Sequence, residues 1–258
     1  MNGRLAGVRG LLIDLEGTVY QDLRLIPGAA EALAGLRERG IPHAFVTNTT
    51  SRPRSVLVRE LSDLGLAVEP ECLFTAPRAA LEHLRRRGLR RCHLLLRPAL
   101  REEFPGIALD DESPEAVILG DLGDEMTFAR LNRAFRLLLS GAELITLARN
   151  RYWRAEDGLR LDVGAFAAAL EYASGRPAVL VGKPDPRFFR AALEWLGVLA
   201  SEAAVVGDDL ESDVGGAQSA GMRGILVRTG KHREEELAGS SVRPDTVLDS
   251  LADLPKLL

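Results

Sequence analysis

Short apolar runs alternate along this chain with stretches of helical period, from Leu11-Leu12-Ile13 near the start to the tail beyond Pro244. Continuous apolar runs separated by amphipathic helices mark a parallel sheet covered on both faces. Pro27 in a first helical turn and Gly40 just past the end bracket one helix, and His43-Ala44-Phe45-Val46 follows as a strand. A second helix is expected over about 53–64, stopped by Gly65, with a short strand at Cys72-Leu73-Phe74-Thr75. The pattern predicts an α/β fold with a doubly wound, Rossmann-like parallel-sheet core.

A second set of elements occupies the middle of the chain: helices over 79–87, 128–139 and 165–173, and strands over 92–96, 116–119 and 144–147. Val179-Leu180-Val181 reads as the return to the core strands. The expected division is therefore a core of residues 1–76 and 179–258, interrupted by a smaller α/β cap domain of residues 77–178. Inserted domains of this kind exclude water from a site and select its substrates. The tail from Pro244 reads as a last short strand and helix.

Four apolar runs end in polar groups. Leu11-Leu12-Ile13 runs into Asp14-Leu15-Glu16-Gly17-Thr18, and Val46-Thr47-Asn48, Val181-Gly182-Lys183 and Val206-Gly207-Asp208-Asp209 repeat the pattern. A carboxylate at the carboxyl end of a parallel strand, followed by a glycine turn, lies in the crevice where open α/β sheets bind ligands. Asp14, Asp208 and Asp213 offer hard oxygen ligands of the kind Mg²⁺ takes. Thr47 and Asn48 can donate to phosphate oxygens, and Lys183 adds a cation. Such a set can pass a phosphoryl group through an aspartyl phosphate that water then cleaves.

Composition narrows the field. A net charge of −4 over 258 residues provides no basic footprint for nucleic acid. No apolar run nears the roughly 20 residues of a membrane span. Residues 1–6 lack the apolar core of a signal peptide, and two cysteines make no disulfide framework, so a cytoplasmic protein is expected, with Cys72 and Cys92 as buried spectators. The run Arg85-Arg86-Arg87 with Arg90-Arg91 sits near a predicted helix C-terminus, where cations are favoured, and reads as a solvated face.

The order of these residues resembles the haloacid dehalogenase superfamily of phosphohydrolases. That family's first motif is Asp, any residue, Asp, Gly, then Thr or Val, followed by a strand-end Thr or Ser, a Lys, and a Gly-Asp with a further Asp. Here they are Asp14 to Thr18, Thr47, Lys183, and Gly207-Asp208 with Asp213. A receiver domain uses similar residue types but places its acidic pair first, whereas Asp208-Asp209 comes last. The resemblance implies a Mg²⁺-dependent phosphatase of small phosphorylated molecules. In it Asp14 is nucleophile and metal ligand, the Glu16 carbonyl and Asp208 are further ligands, and Asp209 and Asp213 act behind them. Thr47, Asn48 and Lys183 hold the phosphate.

Glu16 departs from the pattern, because an Asp usually stands there as the acid and base; the longer side chain makes either a slow phosphatase or a phosphate- or partner-binding module. In the cap, Arg149-Asn150-Arg151-Tyr152-Trp153 and Asp162 are candidates for substrate contact, Tyr152 and Trp153 equally for a core or dimer contact. The resemblance leaves monomer and homodimer open.

Overall fold

The computed structural model describes Leu5 and residues 7–155 and 158–257, without the side chains of residues 153–155 and 236. The stretch read above as lacking a signal lies largely outside these residues. The chain forms two compact units, one of Met1–Thr47, Ser55–Phe74 and Lys183–Leu258, the other of Asn48–Arg54 and Thr75–Gly182.

The first unit is built on a sheet ordered Thr246–Leu248, Arg223–Val227, Ala203–Gly207, Gly10–Asp14, His43–Thr47, Leu73–Thr75. Gly10–Asp14 and Ala203–Gly207 are buried at every position, which is why they read as unbroken apolar runs. From Gly10–Asp14 the chain builds first toward His43–Thr47 and later, on the other side, toward Ala203–Gly207. This reversal is a topological switch point. The parallel register sets Ile13 opposite Val206 and Asp14 opposite Val46. Asp208 and Thr47 therefore stand at the same carboxyl edge as Asp14. The helix Ala29–Glu38 buries Leu33 and Leu36 against this sheet's apolar cluster, with Leu11, Ile13 and Phe45.

The second unit has its own parallel sheet, ordered Val179–Leu180, Glu143–Thr146, Ala116–Leu119, Arg91–Leu95, Ala108–Leu109. Ala116 and Ile118 pack into one apolar cluster and Val117 and Leu119 into another, so this sheet too is covered on both faces. Its helices are Ala76–Arg87, Phe128–Leu139 and Val163–Ser174. The first opens on Thr75, whose hydroxyl accepts from Arg78 N at 3.3 Å, and closes on Gly88 in the left-handed region.

Val179–Leu180 was expected among the core strands. It instead pairs with Ile145 and Thr146 at the edge of the second sheet. The change to the first unit comes at Gly182/Lys183. Two antiparallel hairpins were also absent from the sequence reading, Tyr20–Gln21 with Arg24–Leu25 and Tyr152–Ala155 with Gly158–Leu161. Among the described residues no helix is long and apolar enough to cross a membrane. Of the cysteines, Cys92 is fully buried, and burial pushes its thiol up to about 12; Cys72 is only half-buried, which corrects the expectation for it. The arginine run is a paired surface, with Arg85 on Glu82, Arg87 on Glu143 and Arg91 on Asp110.

Candidate active site

Within the first unit the strand ends bring Asp14, Lys183, Asp208 and Asp213 together, all buried. The Lys183 ammonium donates to Asp14 Oδ1 at 2.5 Å and to Asp213 Oδ1 at 2.6 Å. The other oxygen of Asp213 accepts from Asp209 N at 3.2 Å, so this carboxylate ties the turn after Ala203–Gly207 to the lysine. Asp14, Asp208 and Asp213 each present one oxygen within 4.8 Å of the other two. Asp209 caps the wide helical turn Leu210–Gly215, accepting from Glu211 N and Ser212 N. Thr47 is buried at the end of its strand.

Asn48 is counted with the second unit, where a Cβ added to Gly182, the residue before Lys183, would come within 2.7 Å of the Asn48 Oδ1. Glu16 is exposed, and its Oε1 accepts from Asp22 N at 3.1 Å, at the tip of the hairpin Tyr20–Leu25. That tip is a two-residue turn with Asp22 at φ 49° and Leu23 at φ 55°. Both are left-handed, a conformation that costs a branched residue most, and the usual Asn-Gly signature is missing. In the second unit Asp162 spends a carboxylate oxygen capping Val163–Ser174, and Arg149 pairs with Glu171. Tyr152 is exposed on its hairpin; the Trp153 side chain lies outside the described residues.

Burial dominates the electrostatics. It pushes Asp14 up to about 6 against the pull of Lys183, with Asp208 adding to the rise. It pushes Asp208 up to about 6 against Lys231, and Asp213 up to about 7 against Lys183. Burial also works against the Lys183 ammonium, but Asp14 and Asp213 more than offset it and hold it charged. At Asp209 burial is outweighed by Lys231 and the turn amides, which hold it at about 2. The four carboxylates against the ammonium groups of Lys183 and Lys231 carry a formal charge of −2 when all are ionised. Three converging hard oxygens with that charge fit a divalent cation such as Mg²⁺, which keeps waters and few carboxylates around it.

A pH dependence follows. Asp14, Asp208 and Asp213 bind protons more tightly folded than unfolded, where the carboxyl value is 3.8. Their contribution to stability is full below that value and is lost as the pH rises through about 6 to 7. Asp209, held low, acts oppositely, but only below the same reference value. In chelator the melting temperature is therefore expected to be higher near pH ~5.5 than near ~7.5, and Mg²⁺ should narrow the difference. Scanning calorimetry with and without Mg²⁺ checks this.

The chain matches the family description haloacid dehalogenase-like hydrolase over residues 11–109 and the related HAD-hydrolase-like description over residues 180–254. It belongs to the haloacid dehalogenase-like hydrolases, and its similarity is to phosphatases of that family. It is 42% identical to the rat phospholysine phosphohistidine inorganic pyrophosphate phosphatase, over 99% of this chain and 96% of that one. It is likewise 42% identical to the bovine haloacid dehalogenase-like hydrolase domain-containing protein 2, over 88% of this chain and 86% of the relative. Among solved structures, the 4-nitrophenylphosphatase of Thermotoga maritima superposes with a TM-score of 0.92 at 34% identity, covering 98% of both chains.

The loop 228–231 escaped the sequence reading. Its Lys231 contacts Asp208 through its backbone and Asp209 through its side chain. A signal existed, since Thr229-Gly230-Lys231 follows the apolar run Ile225-Leu226-Val227 with one arginine between, which is again a strand ending in polar groups.

Proposed function

We propose that this protein is a Mg²⁺-dependent phosphatase that cleaves small phosphorylated molecules through a phosphoryl group carried on Asp14. The observation that carries the reading is the buried Asp14–Lys183–Asp213 bridge beside Asp208, at the switch point of a parallel sheet. The Asp14 oxygen that does not receive Lys183 is the nucleophile. Lys183 restrains the charge of Asp14 and, with Thr47 and Asn48, holds the phosphate oxygens in line for attack. Asp14, Asp208 and the Glu16 carbonyl hold the metal, with Asp209 and Asp213 fixing the turn behind it. A bound Mg²⁺ supplies neutralisation of phosphate charge. The second unit serves as the cap, and the relatives' phosphatase names support phosphate monoesters, phosphoramidates and pyrophosphate as the substrate classes to try.

Glu16 is the acid and base in this reading, held by Asp22 N on the hairpin tip. Its extra methylene moves the carboxyl group from the place an aspartate would give it, and a misplacement of about 1 Å costs on the order of a hundredfold in rate. Glu16→Asp is expected to raise kcat, within that limit. Phosphate release from a panel of esters, phosphoramidates and pyrophosphate, with Mg²⁺ or chelator, tests the whole reading. Release that requires Mg²⁺ supports it, whereas phosphate binding with no release from wild type or Glu16→Asp would favour a binding module.

A further inference from the structure

The loop after Arg223–Val227 meets the acidic cluster at Asp208 and Asp209, whereas Lys183 meets it at Asp14 and Asp213. Thr229 Oγ1 donates to the Gly17 carbonyl at 2.6 Å. Lys231 N donates to Asp208 Oδ2 at 2.8 Å. Gly17 and Gly230, at φ 84° and 69°, are both required: a Cβ on either would stand 2.3 or 2.2 Å from the same Asp208 oxygen. Two loops thus close on one carboxylate with their backbones, tied to each other by the Thr229 hydroxyl. The Lys231 side chain is not needed for that closure. It reaches instead to Asp209 Oδ2 at 2.7 Å, while Asp209 Oδ1 is already satisfied by Glu211 N and Ser212 N. What the ammonium adds is mainly charge.

We propose that Lys231 tunes the metal affinity of this site, acting as a resident cation that keeps divalent binding weaker than the four carboxylates would otherwise make it. The proposal rests on reading the cluster as a metal centre. With Lys231 the cluster has a formal charge of −2; without it, −3. Attraction for a divalent ion grows with that charge, and the partly buried setting screens it less than bulk water does. In the metal-free protein the same ammonium relieves the repulsion among the carboxylates. The two effects have opposite signs on removal of the charge: tighter metal, less stable metal-free protein. A residue that merely supports the fold would weaken both.

Calorimetric titration of MgCl₂ into the full chain tests this with wild type, Lys231→Met, Lys231→Gln and Lys231→Arg at one pH and ionic strength. Melting temperatures in chelator provide the second readout. The two neutral variants are expected to bind Mg²⁺ about tenfold more tightly or better while melting lower in chelator, with Lys231→Arg near wild type. Unchanged or weaker Mg²⁺ binding in both neutral variants, against measurable binding in wild type, would overturn the role of Lys231 alone. No Mg²⁺ binding in wild type would overturn the metal centre as well.

Discussion

Asp14→Asn should abolish phosphate release, by about a thousandfold or more in kcat, while leaving the protein folded. The side chain sits at the end of a wholly buried strand in register with Val46. An asparagine of the same shape fits there, keeps an oxygen for the Lys183 ammonium, and loses only nucleophilicity and charge. The substitution also removes one carboxylate that burial keeps at about 6, so the metal-free variant should melt no lower than wild type near neutral pH. Loss of activity together with retained melting temperature separates chemistry from folding. A variant that kept turnover would remove Asp14 from the reaction.

Lys183→Ala is the second large effect, and it acts on both properties. The ammonium donates to two buried carboxylates, and its removal leaves Asp14 and Asp213 facing each other without a cation. Stranding one member of a buried ion pair costs about 3–5 kcal/mol. At about 2–4 °C per kcal/mol for a chain of this size, a drop on the order of 10 °C is expected in chelator near neutral pH. The drop should shrink near pH ~5, where the stranded carboxyl groups take up protons. Activity should fall about a hundredfold or more, since a charge that stabilises the transferring phosphoryl group is lost. Melting curves at the two pH values, with phosphate release on the same samples, check both parts.

The α/β class was legible because its strands are buried on both faces. Such strands read as unbroken apolar runs, and the polar residue that ends each run marks the carboxyl edge of the sheet. Asp14 and Asp208 could be read that way with no knowledge of neighbours. Which sheet a strand joins is a different matter. Val179–Leu180 offers two apolar residues, and its pairing with Ile145 and Thr146 comes from a distant part of the chain. The hairpin at Asp22-Leu23 was hidden because its left-handed turn uses neither asparagine nor glycine. Lys231 stands shortly after a strand end of the same kind, Ile225-Leu226-Val227, but that pattern names no partner for it, and only the fold brings it to Asp209, twenty-two positions earlier in the chain. Glu103 is similar, a buried carboxylate that holds Arg54 N at 2.7 Å and its guanidinium at 3.1 Å, with nothing local to announce it.

Quenching wild type in acid during turnover, followed by peptide mass spectrometry, shows whether the phosphoryl group passes through Asp14. A hydroxylamine-labile phosphoryl group is expected on the peptide containing Asp14, absent from Asp14→Asn. A phosphoryl group on another side chain, or steady release from Asp14→Asn, would contradict it.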